Sequence, residues 1–251
     1  MHSHVLFGIN DGPADIAGSL AMARRAWEEG ITTMLATPHS SSRYPNDAET
    51  IAGPLEELRE QLAQEGVPLE VLPGAEIAVG HVAEIDDATL TAMGLGEGPW
   101  LLIEPPFAPV APALEGSIVE LIRAGHHVLL AHPERAPAIH RDPAIVERLV
   151  GDGVLTSLTA GSLVGRFGSH ARRFGIELLE RGLAHNVASD AHDAYDRPPS
   201  IGRELERAGF AGLAGWLTEE VPAAILEGVE VPARPQTAAP RRGLWRRAVG
   251  R

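Results

Sequence analysis

The 251-residue sequence contains no cysteine. That excludes disulfides, thiolate metal sites and every mechanism built on a cysteine nucleophile. Lysine is absent as well, so all 21 basic residues are arginine, and no Walker lysine, Schiff base or Ser–Lys pair can operate. Aromatic residues amount to only 4%, which leaves the core to aliphatic side chains. No run approaches the roughly 18 apolar residues of a membrane span, so no integral membrane segment is expected. Nor does the N-terminus show a basic stretch followed by an apolar run. A cytoplasmic location is the expectation.

The net charge is −13. Residues 232–251 hold six arginines and no acid, so residues 1–231 carry 15 arginines against 34 acids, a balance of −19. An acidic body repels nucleic acid, and no nucleic-acid partner is expected. At about 150 residues per domain the length falls short of two, and one α/β barrel would fill it. The expected organisation is a single catalytic unit over 1–231, then an Arg-rich, proline-punctuated flexible tail over 232–251. Trp245 among the tail arginines is a candidate contact for a membrane surface or an acidic partner; a solvated tail is the plainer reading.

Six aliphatic runs read as buried strands with polar downstream ends: 31–38, 67–77, 100–106, 126–134, 153–161 and 184–192. Amphipathic helical patterns lie between them at 14–29, 47–65, 113–124, 143–151 and 170–181, with Gly30, Gly66, Gly125 and Gly182 where C-terminal caps belong. Such alternation predicts a parallel sheet covered by helices, as a barrel or a doubly wound sheet.

Polar chemistry recurs at one strand end after another: His39, Glu76, Glu104, His132, then Asp190 and His192. In a parallel barrel those ends open on one face, where such folds build active sites. With His2-x-His4 and Asp11 the set comprises five imidazoles and four carboxylates, the donors of Zn, Mn or Fe. Nine ligands are too many for one ion, which predicts two or three. Four carboxylates would be costly in a shared cavity left without cations, and no lysine can neutralise them. Three dications would overcompensate them, and the positive remainder suits a phosphate ester. Arg135 and Arg197 follow His132 and His192 closely and are candidates to grip phosphoryl oxygens. The implied chemistry is metal-assisted hydrolysis, with Asp190 or His192 protonating the leaving oxygen. Taken singly, each His or Glu at a strand end reads as a cap and each arginine as a partner of a neighbouring acid; joint recurrence favours the site. His81, His126, His127, His140, His170 and His185 fall elsewhere and read as structural.

At these residues the sequence resembles the polymerase-and-histidinol-phosphatase (PHP) superfamily, in particular its bacterial tyrosine-protein phosphatases of capsule and exopolysaccharide synthesis. The matching strings are HSHVLFGINDGP (2–13), SLAMARRAWEEGITTMLATPH (19–39), GAEI (74–77), LIE (102–104), LLAHPER (129–135), TAGSLVGRFG (159–168) and SDAHDAYDRPP (189–199). The resemblance implies a single distorted (β/α)7 TIM-like barrel, the PHP fold, with up to three metals, manganese being usual and iron or zinc alternatives. Carried over, His2, His4, Glu76 and Asp190 would hold one ion. Glu76 would bridge to a second with Glu104 and His132, and Asp11, His39 and His192 would hold the third. Arg135 and Arg197 would bind phosphate. The implied partner is the phosphotyrosine-bearing tail of a tyrosine kinase that regulates polysaccharide export, and a homo-oligomer is compatible with the sequence. Two rival readings are a small-molecule phosphatase on the same fold, such as one for histidinol phosphate, and an inactive regulator that binds the kinase tail. Two departures stand out. Only Met1 precedes the His-x-His where relatives have several residues ending in Asp, so the expectation is a start further upstream or a loosely held first ion at a fraying His2. Asn10 stands beside Asp11 where an acid is common, which predicts a weaker third ion.

Overall fold

Run 67–77 is interrupted by proline and forms two strands instead of one, and run 31–38 ends at a proline beyond which a second short strand forms. The computed structural model describes residues 1–236. Its strands are β1 (Thr33–Leu35), β2 (His39–Ser40), β3 (Glu70–Leu72), β4 (Glu76–Ala78), β5 (Trp100–Glu104), β6 (His127–Ala131), β7 (Leu155–Thr159) and β8 (Asn186–Ala188). Pro38 separates β1 from β2 and Pro73 separates β3 from β4. Proline has no N–H to give a ladder, so both chains leave one pairing and re-enter another together. β1 pairs with β3, and past the two prolines β2 pairs with β4. From β2 a six-stranded parallel sheet runs in the order β2-β4-β5-β6-β7-β8.

The helices are α1 (Ile16–Glu28), α2 (Ala48–Glu65), α3 (Asp87–Ala92), α4 (Leu114–Arg123), α5 (Pro137–Arg141), α6 (Ala144–Gly151), α7 (Ala160–Leu163), α8 (Gly168–Glu180), α9 (Gly202–Ala208) and α10 (Val221–Glu227). The five helical patterns in the sequence correspond to α1, α2, α4, α6 and α8. Local chemistry sets several boundaries. Asp15 and Asp47 accept backbone N–H groups of the first turns of α1 and α2, satisfying donors that have no partner inside the helix. Gly66 closes α2 at φ 68°, a left-handed conformation that costs glycine nothing. Helices cover the sheet, which is why Leu101, Leu102 and Ile103 of β5 and Leu129 and Leu130 of β6 are all fully buried in unbroken apolar runs.

The ladders do not join into one closed barrel. Between β8 and β1 lies the segment after Met1, in which Ser3 alone forms a bridge, with Ala191. It is stitched on both flanks: His4 N–H donates to Ala191 O (2.8 Å) and Asp190 N–H to His2 O (3.0 Å) on one side, and Thr37 N–H to Ser3 O (2.8 Å) on the other. Ser3 Oγ adds a bond to Leu35 O at 2.6 Å. Beyond this stitch the edges stand apart, and a groove of about 850 Å³ opens between them, lined by Met34, Leu35, Val187 and Leu226 among others. The architecture is thus parallel α/β in two ladders, which strand pairing alone does not close into a single barrel. The fraying expected at His2 is not observed: its carbonyl is hydrogen-bonded and the residue is 3% exposed.

Of the tail expected over 232–251, residues 237–251 lie outside the described residues. Pro232 O accepts the Trp216 indole N–H at 2.9 Å. Among the described residues no helix is long and apolar enough to cross a membrane.

Candidate active site

Alternation along the first segment turns His2 and His4 to one side and Ser3 to the other. Their Nε2 atoms lie 3.3 Å apart, while Ser3 bonds back to Thr37 and Leu35. The β2–β4 register sets His39 directly beside Glu76. Glu104 ends β5, His132 follows β6, and Asp190 and His192 follow β8. Parallel strands point these ends the same way, so residues separated by up to 190 positions converge.

Glu76 is the hub. Its side chain is fully buried, with Oε2 2.9 Å from His39 Nδ1 and 3.2 Å from both His2 Nε2 and His4 Nε2. Its Oε1 meets His132 Nε2 at 2.8 Å. Glu104 lies 3.8 Å from both His39 and His132. Asp190 Oδ1 is 3.5 Å from His2 Nε2 and from His4 Nε2. Asp11, the most open member, approaches His192 (3.4 Å), His4 and His39 (both 3.6 Å). All nine residues singled out as ligands therefore form one contiguous cluster.

Among the described residues, three groups of donors are close enough to hold a cation: His2, His4 and Glu76; His39, Glu76 and Glu104; and His4, Asp11, His39 and His192. These differ from the carried-over sets in detail. His4 joins Asp11, His39 and His192, and His39 takes the place beside Glu76 and Glu104 expected of His132. The donor chemistry fits divalent cations. Glu76 Oε2, amid three imidazole nitrogens, and His132 Nδ1 are buried without a hydrogen-bond partner of good geometry, and buried polar atoms are otherwise almost always satisfied.

Electrostatics reflect the crowding. Burial alone would raise the pKa of Glu76 and Asp190, but the imidazoles, with His2 the largest single contributor, hold both well below the carboxylate range. Burial and the charge of Glu76 push Glu104 up to about 8. For His39 burial acts downward, yet hydrogen bonds to Asp11 and Glu76 raise it to about 11. Burial keeps His132 and His192 below the ordinary histidine value, leaving neutral rings with lone pairs to offer.

Arg135 and Arg197 both reach Asp190 Oδ2, Arg197 at 2.7 Å. They also rest on aromatic rings: the Arg135 guanidinium carbon is 4.2 Å from the Phe167 ring centre and 5.1 Å from that of Phe107, and that of Arg197 is 5.5 Å from Phe167. His132 and Asp190 carry positive φ, 30° and 49°. For non-glycine residues this costs on the order of 1–3 kcal/mol, and such strain concentrates at functional positions.

Several residues outside the predicted ligand and phosphate-binding sets also shape this site. Glu134, fully buried within the AHPER string, accepts Thr159 N–H (2.9 Å) and the Ser162 hydroxyl (2.7 Å), tying the His132–Arg135 turn to the end of β7. Tyr44 stacks on His39, ring centres 5.7 Å apart. Asn10 places its amide nitrogen 3.2 Å from His4 Nδ1 and accepts Gly12 N–H, bracing a ligand ring. The Glu134 tie shows only through chain-distant contacts; Phe107 carried no motif signal, and Phe167 lies within the TAGSLVGRFG string, which assigned it no role. The histidines read as structural make contacts outside the cluster instead, such as His126 with Asp87 (2.9 Å) and His81 with Glu84 (2.8 Å).

Comparison with known proteins points to one family. The family model for capsular polysaccharide synthesis, CpsB/CapC, matches residues 1–208. The tyrosine-protein phosphatase YwqE of Bacillus subtilis is 37% identical over 198 residues, 78% of this chain and 78% of that protein. The putative tyrosine-protein phosphatase CapC of Staphylococcus aureus is 32% identical, covering 79% and 78%. A solved structure, described as one of YwqE from Bacillus subtilis and CpsB from Streptococcus pneumoniae, unique metal-dependent tyrosine phosphatases, matches with a TM-score of 0.80 at 33% identity. The match covers 94% of this chain and 98% of that one.

Proposed function

The chain belongs to the capsular polysaccharide synthesis CpsB/CapC family, and on that premise we propose that it is a metal-dependent phosphotyrosine-protein phosphatase. Its substrate would be the phosphorylated tail of a tyrosine kinase that controls capsular or exopolysaccharide synthesis, met in the cytoplasm. The observation that carries the reading is the convergence of four imidazoles on the two oxygens of Glu76, beside a carboxylate held by two arginines.

His2, His4, Glu76 and Asp190 would hold one divalent ion, Glu76, Glu104 and His132 or His39 a second, and Asp11, His39 and His192 a third. Manganese is the expected metal, with iron and zinc accepted by the same donors. Such cations supply Lewis acidity, which makes water a competent nucleophile near neutral pH and offsets charge on phosphoryl oxygens. The remaining work falls to the chain. Arg135 and Arg197 would orient the phosphoryl group, since planar guanidinium groups bind its oxygens in pairs. In the structure both bond Asp190, which anchors them beside the carboxylate cluster. The Asp190–His192 pair, 3.7 Å apart and without a transferable proton at rest, would take the proton released by the attacking water and pass it to the leaving oxygen. A phenol has a pKa of about 10, so its oxygen demands less of that pair than an alkoxide would.

For the fold, we propose that the segment after Met1 acts as the closing strand of a distorted seven-stranded barrel; its hydrogen bonds to both flanks support this. Residues 1–231 would form the catalytic unit and 232–251 an appended tail.

The test is turnover of a phosphotyrosyl peptide against histidinol phosphate, with elemental analysis and activity before and after chelation. Preference for the peptide, lost on chelation and restored by manganese, is expected. Preference for histidinol phosphate would overturn the substrate assignment, and metal-independent turnover would overturn the mechanism.

A further inference from the structure

The loop after Glu104 carries four prolines in eight residues, Pro105, Pro106, Pro109 and Pro112, around Phe107. Each proline fixes its own φ, so the loop holds its shape without a covering element. Phe107 is 53% exposed and Val110 66%. An exposed phenyl ring alone means little, but this one is held on the site. Its centre lies 5.5 Å from that of the His132 ring, at an interplanar angle of 32°. The Arg135 guanidinium carbon sits 5.1 Å from the same centre. The partners of Phe107 are thus a candidate ligand and a candidate phosphate-binding group, while about half its surface is left open.

We propose that Phe107 is the specificity-determining residue for the leaving group, an aromatic platform that receives the aryl ring of the substrate once Arg135 holds the phosphate. The proposal rests on the phosphatase reading above and adds to it the reason for choosing aryl over alkyl esters. A phosphate held by Arg135 lies within a few ångströms of the Phe107 ring, and the ring of an aryl ester begins one oxygen away from phosphorus. Aromatic pairs attract at centre separations of about 4.5–7 Å, the range that this placement allows. An alkyl ester has no π face and gains only apolar contact. Phe167, stacked on both arginines at 4.2 and 5.5 Å, holds the phosphate grip from another side and is not available in the same way.

The experiment measures kcat and KM of the manganese-loaded protein on one peptide carrying phosphotyrosine or phosphoserine, for wild type, Phe107→Ala and Phe107→Trp. Circular dichroism and metal content serve as controls for folding and loading. Wild type should favour phosphotyrosine. Phe107→Ala should shrink the aryl-to-alkyl ratio of kcat/KM about five- to tenfold, mainly through KM for the aryl peptide, and Phe107→Trp should restore it. Equal losses on both peptides would mean that Phe107 only props Arg135, and would overturn the proposal; so would an unchanged ratio. A loaded wild type that hydrolyses neither peptide would instead remove the phosphatase reading, and the platform with it.

Discussion

Replacing Glu76 by glutamine keeps the shape of the hub and removes its charge. Glu76 belongs to two of the three donor groups, and its carboxylate receives four imidazole nitrogens within 3.2 Å while fully buried. A glutamine turns one of those oxygens into an amide nitrogen, which cannot bind a cation, and removes one negative charge from the site. A cation present at a hundredfold excess over its dissociation constant stabilises the folded state by about 2.7 kcal/mol. For a chain of this size each kcal/mol moves Tm by about 2–4 °C. Manganese should therefore raise the Tm of chelator-treated wild type by about 5–11 °C, and Glu76→Gln should lose most of that rise together with metal stoichiometry. The assay is thermal unfolding with and without manganese, paired with elemental analysis. A Glu76→Gln protein that keeps both the full rise and the wild-type metal content would refute the assignment of Glu76 as the shared ligand.

Other outcomes follow from individual contacts. Arg135→Ala should cut kcat/KM on a phosphotyrosyl peptide about 10- to 100-fold, the worth of one charge-assisted bond in the transition state; a change under about threefold would argue against the phosphate role. Glu134→Ala orphans Thr159 N–H and the Ser162 hydroxyl, both buried. At roughly 1–3 kcal/mol each, calorimetry should show a loss of several degrees in Tm, and an unchanged Tm would contradict the tie. Burial and the charge of Arg234 lower the His185 pKa from 6.5 to about 4, and Thr156 N–H donates to its Nδ1 at 3.2 Å, so folding favours the neutral ring. Its contribution of about 3 kcal/mol is complete above pH 6.5 and disappears as pH falls toward 4. His185→Gln should flatten the acid limb of the Tm-against-pH curve, and an unaltered limb would show the ring to be uninvolved. Gly66→Ala forces a side chain into the left-handed region at φ 68° and should cost about 1 kcal/mol by chemical denaturation; a neutral or stabilising effect would count against the cap.

Much of the site was legible because ligand chemistry is local. A histidine or carboxylate just past an aliphatic run announces itself, and five recurrences at the same kind of position pointed to a common rim. Helix boundaries at α1, α2, α4, α6 and α8 were equally local, set by Asp15, Asp47 and glycines that follow the last turns. The strands read less well. Run 67–77 reads as one strand, yet Pro73 divides it, and run 31–38 stops at Pro38 although pairing resumes just beyond; the effect of a missing N–H depends on which neighbour would have received it.

Residue identity by itself determined the absence of thiol and lysine chemistry, the parallel α/β character and the inventory of imidazoles, carboxylates and arginines. Tertiary structure decided which donors share a point: His39 beside Glu76 through the β2–β4 register, and His2 and His4 against Asp190 through bonds linking the start of the chain to residues nearly 190 positions away. It also decided that the ladders stay unjoined, that Glu134 locks the turn bearing Arg135, and that Phe107 stands half open against that arginine. Side-chain type is written position by position, whereas distance between ligands depends on strand pairing and packing, which involve segments far apart in the chain.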